Sequence, residues 1–431
     1  MKQIFIFLGV FFLIACKTAT LSDDALLDLV QKQTLKYFWD FADPSTGLTR
    51  ERSNITTYGH EVLTVGGTGF GIMGIIAGVE RGFIPRDSAV EHIWKIAWNL
   101  TNKFERFHGA YPHWVNGETG KAFHFSEKDN GGDIVETAYL IMGLLTAKQY
   151  FNKDNKSEME LCSLINIIWE SVEWNWFTQG GQNQLYWHWS PNFEWEMNLP
   201  VRGWDECLIS YILAASSPTY PVEPEVYHKG WTNSDHFING KEYYNFKLPL
   251  GFEYGGPLFF SHYTFLGIDP RGLEDKYANY WEQNVAHTKI NRAYCIENPL
   301  KWKGYGVNCW GLTASDNHEG YGAQSPTNDN GTISPTAAIS AFPYTPEYSM
   351  HALRHFYHDL GAQIWGEYGF KDAFNLSENW VAESYIAIDQ GPIIVMIENY
   401  RSQLLWNLFM SHPDVQKGLK RLGFSSPHID T

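Results

Sequence analysis

Six segments of this 431-residue chain are built almost entirely from apolar and small residues over helix-like lengths. They lie at residues 66–74, 134–146, 208–215, 257–267, 334–341 and 392–397. A helix without a polar face must be buried on all sides. Amphipathic segments such as 87–106 and 157–176 alternate with them and fit an outer layer. The pattern therefore predicts an all-α fold, an (α/α)6 barrel with two concentric rings of helices.

Helical periodicity predicts about twelve helices, and strand signals are scarce outside 184–189. Ser22, Asp23 and Asp24 can cap the first helix, which runs to about residue 41. The other predicted helices lie near 66–82, 86–107, 131–151, 157–176, 203–216, 257–267, 271–290, 334–341, 346–362, 391–410 and 412–422. Long connections at 108–130, 177–202, 217–256, 299–333 and 363–390 can form a cleft at one end of the barrel. No linker divides residues 23–431, so we expect one catalytic domain there.

The first residues resemble an export signal. Met1 and Lys2 are followed by an apolar run from Ile4 to Ala15 that is too short to span a bilayer. The sequence Leu-Ile-Ala-Cys at 13–16 resembles the bacterial lipobox, in which the cysteine carries lipid. We therefore expect a signal peptide at 1–15, lipidation of Cys16 and a tether at 16–22. A signal peptide cut at another position is the alternative. The expected location is the cell envelope, as a periplasmic or outer-surface lipoprotein.

Aromatic residues make up 16% of the chain and the formal net charge is −16. A nucleic-acid partner needs basic stripes, so this charge argues against one. An acidic protein rich in Trp and Tyr suits a neutral ligand with apolar faces and many hydroxyl groups, such as a sugar. A large aromatic core would explain the same composition.

Carboxylates gather where the apolar helices begin. Asp129, Asp133 and Glu136 are spaced to share one helical face, where their repulsion would raise a pKa. Glu206 stands among Trp204 and apolar residues that favour its protonated form. Asp389 precedes the last apolar helix. As alternatives, helix capping would account for one acid at each helix start, and Glu206 would be a surface acid that forms an ion pair with Arg202. Glycoside hydrolysis needs two such carboxyl groups.

Several Trp residues lie in the long loops, beside amides and hydroxyl groups, as in sugar-binding platforms. The segments are 186–189, 192–195 and 308–316. Core packing is the alternative at any one of these positions. Motifs for zinc peptidases, P-loops and nucleophile elbows are absent from the sequence. The glycines at 66–71 are better explained by close helix packing than by nucleotide binding. Cys162, Cys207, Cys295 and Cys309 match no metal-binding spacing, and we expect free thiols.

Four long motifs resemble the bacterial glucoamylase-like domain family, which includes the β-1,2-glucanases and sophorose-releasing enzymes of glycoside hydrolase family 144. They are NGGDIVETA at 130–138, RGWDE at 202–206, GVNCWGLTASD at 306–316 and AIDQGP at 387–392. The resemblance extends from about residue 23 to 424. It implies an (α/α)6 barrel and an inverting acid/base hydrolysis of β-1,2-glucan or its oligosaccharides. It also implies that no metal or other cofactor takes part.

Motif by motif, the resemblance implies that Glu206 is the general acid and Asp389 the general base. Asp129, Asp133 and Glu136 correspond to acids that line the sugar subsites. The loop with Trp310, Thr313, Ser315 and Asp316 corresponds to a sugar-contacting loop. From the sequence we add Arg202, Trp204, Trp187 and Trp189 as candidate substrate contacts.

The expected protein is thus a lipid-anchored glycoside hydrolase whose partners are a glucan and the membrane. The alternatives are a glucoamylase-like hydrolase of another glucan linkage and a non-catalytic glycan-binding lipoprotein. A polysaccharide lyase could use the same barrel, but it needs a basic cleft, and the net charge of −16 argues against one. The sequence does not distinguish endo from exo cleavage.

Overall fold

The computed structural model describes residues 21–55 and 58–429. The expected signal peptide and Cys16 lie outside these residues. Fourteen α-helices form within them. They are α1 (Asp23–Trp39), α2 (Val65–Glu80), α3 (Arg86–Asn102), α4 (Ile134–Tyr150), α5 (Lys156–Ser171), α6 (Leu208–Ser216), α7 (Pro224–Val226), α8 (Tyr280–Glu297), α9 (Pro335–Ile339), α10 (Pro346–Arg354), α11 (Gly361–Ile364), α12 (Ala387–Ser402), α13 (Leu404–Met410) and α14 (Pro413–Leu422).

Short antiparallel strands lie in the loops between the helices. One sheet has three strands, β1 (Val62–Thr64), β2 (Trp114–Asn116) and β3 (Ala122–Phe123). The others are two-stranded ribbons, β4 (Gly132–Asp133) with β5 (His188–Trp189), β6 (Glu242–Tyr243) with β7 (Phe246–Lys247), β8 (Ala314–Asn317) with β9 (Gly320–Ala323), β10 (Trp365–Gly366) with β11 (Gly369–Phe370), and β12 (Phe374–Asn375) with β13 (Trp380–Val381). None of these sheets closes into a barrel.

The predicted two-ring helical barrel is confirmed. Helices α2, α4, α6, α9 and α12 and the 3₁₀ segment at 258–266 form the inner ring, where α2 packs between α4 and α12. Helices α1, α3, α5, α8, α10 and α14 pack outside it. The all-apolar composition of α2 and α4 is explained by neighbours on every side, because a polar face there would lose its contact with water.

The glycines of α2 serve helix packing, as predicted. A Cβ atom at Gly69 would lie 2.1 Å from the carbonyl oxygen of Tyr139, and one at Gly143 would lie 2.2 Å from the carbonyl oxygen of Gly69. The backbones of α2 and α4 therefore approach more closely than side chains would allow. The four cysteines at 162, 207, 295 and 309 are free thiols, also as predicted.

Four helix predictions were wrong in detail. The segment 257–267 folds as two 3₁₀ turns, and the helix predicted at 271–290 is α8, which begins only after its cap Asn279. The segment 391–410 is two helices, because Gln403 adopts a left-handed φ of 64° between them. The helix predicted from 203 begins at Leu208, so Glu206 precedes it.

No helix among the described residues is both long enough and apolar enough to cross a bilayer.

Candidate active site

A cavity of about 890 Å³ opens where the inner helices begin. Thr64 caps α2, Glu136 lies in the first turn of α4, Glu206 lies two residues before α6, and Ile386 is the cap of α12; all four line the cavity. Several helix N-termini therefore point toward one space, and their dipoles favour negative charge there. This arrangement explains why carboxylates gather at the starts of the apolar helices.

The cavity wall combines aromatic and acidic side chains. Its aromatic residues are Tyr58, Trp114, Phe125, Tyr139, Trp187, Phe259, Tyr263, Tyr321 and Trp380. Its acids are Glu51, Glu136, Glu206, Asp316 and Glu383, with Arg52 and His113 as basic groups. Such a surface can stack on the apolar faces of a sugar and hydrogen-bond its hydroxyl groups.

Glu206 lies in this wall, only partly exposed. Burial raises the pKa of Glu206 well above its usual range, and the neighbouring carboxylate of Asp205 raises it further. The backbone holds it in place, because its carbonyl accepts a hydrogen bond of 2.7 Å from the Thr264 hydroxyl. The alternative of a surface pair with Arg202 is excluded, since the exposed Arg202 donates to Gln184 instead.

Asp129 and Asp133 meet two histidines in what we call the acid–imidazole cluster, His113, Asp129, Asp133 and His188. The Nε2 atom of His188 lies 3.1 Å from Asp129 Oδ2 and 3.4 Å from Asp133 Oδ2. The Nδ1 atom of His113 lies 3.1 Å from Asp133 Oδ2.

The expected shared helical face of the three acids was wrong. The helix begins at Ile134, and the Asp133 Oδ1 atom caps it by accepting from the amides of Val135 and Glu136. Asp129 lies in the preceding turn. The two histidines, which sequence reasoning missed, join the aspartates across the loops.

The charges of this cluster are set by mutual contact. Burial alone would raise the pKa of Asp133, but hydrogen bonds with His113 and His188 hold it well below its usual range. Burial would lower the pKa of both histidines, yet the acids raise it to about 9 for His113 and about 10 for His188. For Glu136, burial raises the pKa to about 7 despite the charge of His113.

Two groups of described residues have metal-ligating atoms that lie close together. One is the acid–imidazole cluster, whose four ligand atoms all lie within 4.8 Å of one another, and the other is Asp205, Glu206 and Cys207. In the first group the histidines already contact the carboxylates directly. In the second group burial raises the pKa of all three residues.

Asp389 is buried beneath the wall, only 1% exposed. Its Oδ1 atom accepts a hydrogen bond of 3.5 Å from the hydroxyl group of Tyr263, which does line the cavity. Burial raises the pKa of Asp389 to about 7, although a hydrogen bond with Asp372 opposes this. Asp372, which sequence reasoning missed, also accepts a 2.6 Å hydrogen bond from the amide of Asp316.

An ion-pair network flanks these carboxylates. The Nη1 atom of Arg52 lies 3.1 Å from Asp316 Oδ2, and its Nε atom lies 2.9 Å from Glu51 Oε2. The hydroxyl groups of Tyr58 and Ser384 donate to Glu51 and Asp316, respectively. Asp316 therefore has a cationic partner. Among the described residues, no lysine or arginine pairs with the buried Asp372 and Asp389. No motif in the sequence marked Arg52 or Glu51.

The structure separates the remaining sequence candidates into two groups. Trp187 and Asp316 line the cavity, and the Trp187 Nε1–H group donates to Asp133 Oδ2 at 3.1 Å. The other candidates lie outside the wall: Trp204 and Trp310 are fully buried, Thr313 and Ser315 are buried, Arg202 is exposed, and Trp189 faces a different part of the loops. None of these six residues lines the cavity, and their role as sugar contacts stays a prediction.

Thr313 and Ser315 do not face the cavity because the polar groups of the loop at 308–316 make hydrogen bonds within the protein. The Thr313 hydroxyl accepts from the amide of Phe259 at 3.1 Å, and the Ser315 hydroxyl donates to the carbonyl of Asp316. Trp204 packs against Trp231 and Tyr280 in the core.

The family described as "Putative glucoamylase" matches residues 198–413. The chain is 47% identical over 430 residues to an exo β-1,2-glucooligosaccharide sophorohydrolase (non-reducing end) of Parabacteroides distasonis, covering 95% of this chain and 59% of that relative. It therefore spans about 59% of the length of this curated relative.

Two solved structures are similar to this chain over nearly their whole length. A "putative glucoamylase" from Bacteroides uniformis shares 61% identity at a TM-score of 0.94, covering 95% of this chain and 99% of the other. An endo-β-1,2-glucanase from Chitinophaga pinensis, in complex with sophorotriose and glucose, shares 52% identity at a TM-score of 0.92. This similarity covers 95% of our chain and 100% of the Chitinophaga chain.

Proposed function

The chain belongs to the glucoamylase-like family, and from this membership we propose that it is a glycoside hydrolase acting on β-1,2-glucan or its oligosaccharides. Relatives named for β-1,2-linked substrates support the linkage. The cavity supports it chemically, because aromatic walls and hydrogen-bonding groups suit a neutral glucan. Its volume of about 890 Å³ is large enough for several glucose units.

The observation that carries the proposal is the state of Glu206. A general acid must hold a proton at working pH and reach the glycosidic oxygen. Glu206 lines the cavity, and its pKa is raised well above the usual range by burial and by Asp205. In our proposal its proton moves to the leaving-group oxygen as the C1–O bond breaks.

Asp389 is the proposed general base of an inverting reaction. Because Asp389 is buried behind Tyr263, we propose that Tyr263 passes the proton. The attacking water would give its proton to the Tyr263 hydroxyl as that hydroxyl gives its own to Asp389 Oδ1. The water oxygen bonds to C1 on the face opposite the leaving group, so the anomeric configuration inverts.

Trp187 and Asp316 are the proposed sugar contacts among the sequence candidates, because both line the cavity. Glu136 lines it as well, and Asp129 and Asp133 support Trp187 and His113 from behind. In this proposal the acid–imidazole cluster keeps the Trp187 indole in one orientation, since Asp133 accepts the indole N–H group.

Hydrolysis of β-1,2-, β-1,3- and α-1,4-glucans, followed by reducing-sugar release, tests the function. We expect release from β-1,2-glucan alone. Release from α-1,4-glucan would overturn the proposed linkage, and binding of β-1,2-glucan without cleavage would indicate the non-catalytic alternative. Glu206→Gln should lower kcat at least about 10²-fold. Glu160→Gln, on the outer helix α5, is the matched control and should leave kcat unchanged.

We further propose that Cys16 carries lipid and that residues 23–431 form one catalytic domain at the cell envelope. The lipobox-like residues 13–16 and the polar stretch before α1 support this anchor. Metabolic labelling with a radioactive fatty acid tests it. Label should enter the wild-type protein and be lost in Cys16→Ala, and label retained by that variant would overturn the proposed anchor.

A further inference from the structure

A second hollow, of about 520 Å³, lies on the outside of the barrel. We call it the rim hollow, and its side chains are Glu173, Asn175, Trp176, Gln179, Trp195 and Tyr220. The segment after α5 lies near the start of α4, because the ring of Phe177 reaches within 3.1 Å of the Cβ position of Gly132, which precedes α4. The rim hollow follows α5 directly, so it lies at the same end of the barrel as the cavity lined by Glu206, which we call the catalytic cavity.

Two indole rings form its apolar surface. The ring centroids of Trp176 and Trp195 are 6.2 Å apart with their planes inclined by 34°. Trp176 is 38% exposed, although most large aromatic side chains of this protein are buried. The imidazole of His108 stacks on the Trp176 indole with ring centroids 3.7 Å apart and planes inclined by 11°, which holds the indole in a fixed orientation.

The polar groups of the rim hollow fit an uncharged ligand. Its one carboxylate, Glu173, pairs with His108 Nδ1 at 2.9 Å, and none of its described side chains is a lysine or arginine. Amide groups of Asn175 and Gln179 and the Tyr220 hydroxyl stand beside the indoles. A phosphate or a uronic acid would find no cation here, whereas a neutral sugar finds both apolar faces and hydrogen-bonding groups.

Strand β5 connects the two sites. His188 belongs to the acid–imidazole cluster at the catalytic cavity, and the next residue, Trp189, lies edge-on to Trp176 at 6.1 Å. Because His188 and Trp189 are consecutive residues, the aromatic cluster of the rim hollow begins one residue from the acid–imidazole cluster. This short separation connects the rim hollow to the catalytic cavity.

We propose that the rim hollow is a second carbohydrate-binding site that takes glucose units of a glucan chain engaged in the catalytic cavity. This inference rests on the proposed function for the identity of the glucan. It assigns Trp176 and Trp195 as stacking platforms for the sugar rings. The site favours long chains over short ones, because a short oligosaccharide fills the catalytic cavity alone.

Affinity for β-1,2-glucan, measured by gel electrophoresis in the presence of the polymer, tests the proposal. All variants carry Glu206→Gln so that the polymer stays intact. Trp176→Ala and Trp195→Ala should each weaken polymer binding roughly tenfold relative to sophorotriose binding. Trp98→Ala is the matched control, since Trp98 is 45% exposed on the outer helix α3 and is not among the residues that line the rim hollow.

Unchanged polymer affinity in both tryptophan variants would overturn the proposal that the rim hollow binds glucan. Equal losses of affinity for the polymer and for sophorotriose would overturn it as well. Gln179→Ala removes a polar group without disturbing the indole packing, so it tests the site even if a tryptophan variant unfolds. Failure of the proposed function gives a different result. In that case the protein with Glu206 intact leaves β-1,2-glucan uncleaved, while the tryptophan variants still lose polymer affinity.

Discussion

The buried carboxyl groups of Asp372 and Asp389 lie next to each other beneath the wall of the catalytic cavity, and each shifts the pKa of the other. No N–H or O–H group of another described residue donates to Asp372 Oδ1 or Asp389 Oδ2. Two neighbouring buried carboxyl groups repel each other when both are ionised, so one of them holds a proton. The pKa of Asp372 is raised well above its range by burial and by the charge of Asp389, which makes Asp372 the proton holder.

The first prediction concerns this pair and the pH dependence of hydrolysis. Burial raises the pKa of Asp389, its hydrogen bond with Asp372 lowers it, and the charges of Asp316 and Glu51 raise it, so that the pKa is about 7. A base must be deprotonated, so kcat/KM should fall as the pH drops below about 7. Asp372→Ala removes the hydrogen-bond donor and raises the pKa of Asp389. The acidic limb of the kcat/KM profile should therefore move to higher pH.

Asp372→Asn is the matched control for that experiment. Its side-chain amide still donates to Asp389, so the acidic limb should stay near the wild-type position. A limb that moves equally in both variants would contradict the donor role of Asp372. The measurement is a kcat/KM profile between pH 4 and pH 9 with a β-1,2-linked oligosaccharide.

The second prediction tests the proton path through Tyr263. Tyr263→Phe removes the hydroxyl that links the cavity to Asp389 but keeps the aromatic wall. Because a positioned proton transfer contributes about 10²–10⁴-fold, kcat should fall at least about 10²-fold. Tyr400→Phe, a 42% exposed tyrosine on α12, should leave kcat unchanged. Wild-type kcat in Tyr263→Phe would rule out this path.

The third prediction concerns stability and pH. The pKa of His188 is raised from 6.5 to about 10 by Asp129 and Asp133, against the effect of burial. A raised folded-state pKa means that the folded protein binds the proton more tightly. Its stabilising contribution is therefore complete below pH 6.5 and is lost as the pH rises toward about 10.

Thermal unfolding between pH 7 and pH 10 measures this effect. The Tm of the wild-type protein should decline over that window more steeply than the Tm of His188→Gln. The difference between the two slopes isolates His188 from other groups that titrate there, such as His113. Parallel slopes would show that the acid–imidazole cluster does not hold a protonated His188.

The fourth prediction tests the close packing of α2 against α4. A Cβ atom at Gly143 would lie 2.2 Å from the carbonyl oxygen of Gly69, and rigid backbone cannot yield as a side chain can. Gly143→Ala should therefore lower the free energy of unfolding by about 1–3 kcal/mol, measured by urea denaturation. Gly306→Ala, which has no atom within 4 Å of its added Cβ, is the control. Equal effects in the two variants would contradict the packing argument.

The helical barrel was predictable because its signal is local. Segments without a polar face, such as those that became α2 and α4, can be recognised from a few turns of sequence. The helix boundaries were less accurate where backbone geometry decided them, as at Gln403, whose left-handed conformation ends α12. The two turns at 257–267 have the composition of a buried helix but not its hydrogen bonds.

For the candidate site, the sequence indicated which acids gather at helix starts, and Glu206 and Glu136 do line the cavity. Two further expectations stay untested: the catalytic roles themselves and the lipid anchor. Trp204 and Trp310 show the limit of composition, because a tryptophan in a loop and a tryptophan in the core look the same in sequence.

The sequence by itself determined the ring of buried helices and the placement of acids at their N-termini, since periodicity and capping depend on neighbouring residues. Only the tertiary structure decided which acids hold protons. The pairing of His188 with Asp129 and of Asp372 with Asp389 joins residues from separate segments of the chain. A pKa depends on burial and on nearby charges, and both exist only after distant segments have packed together.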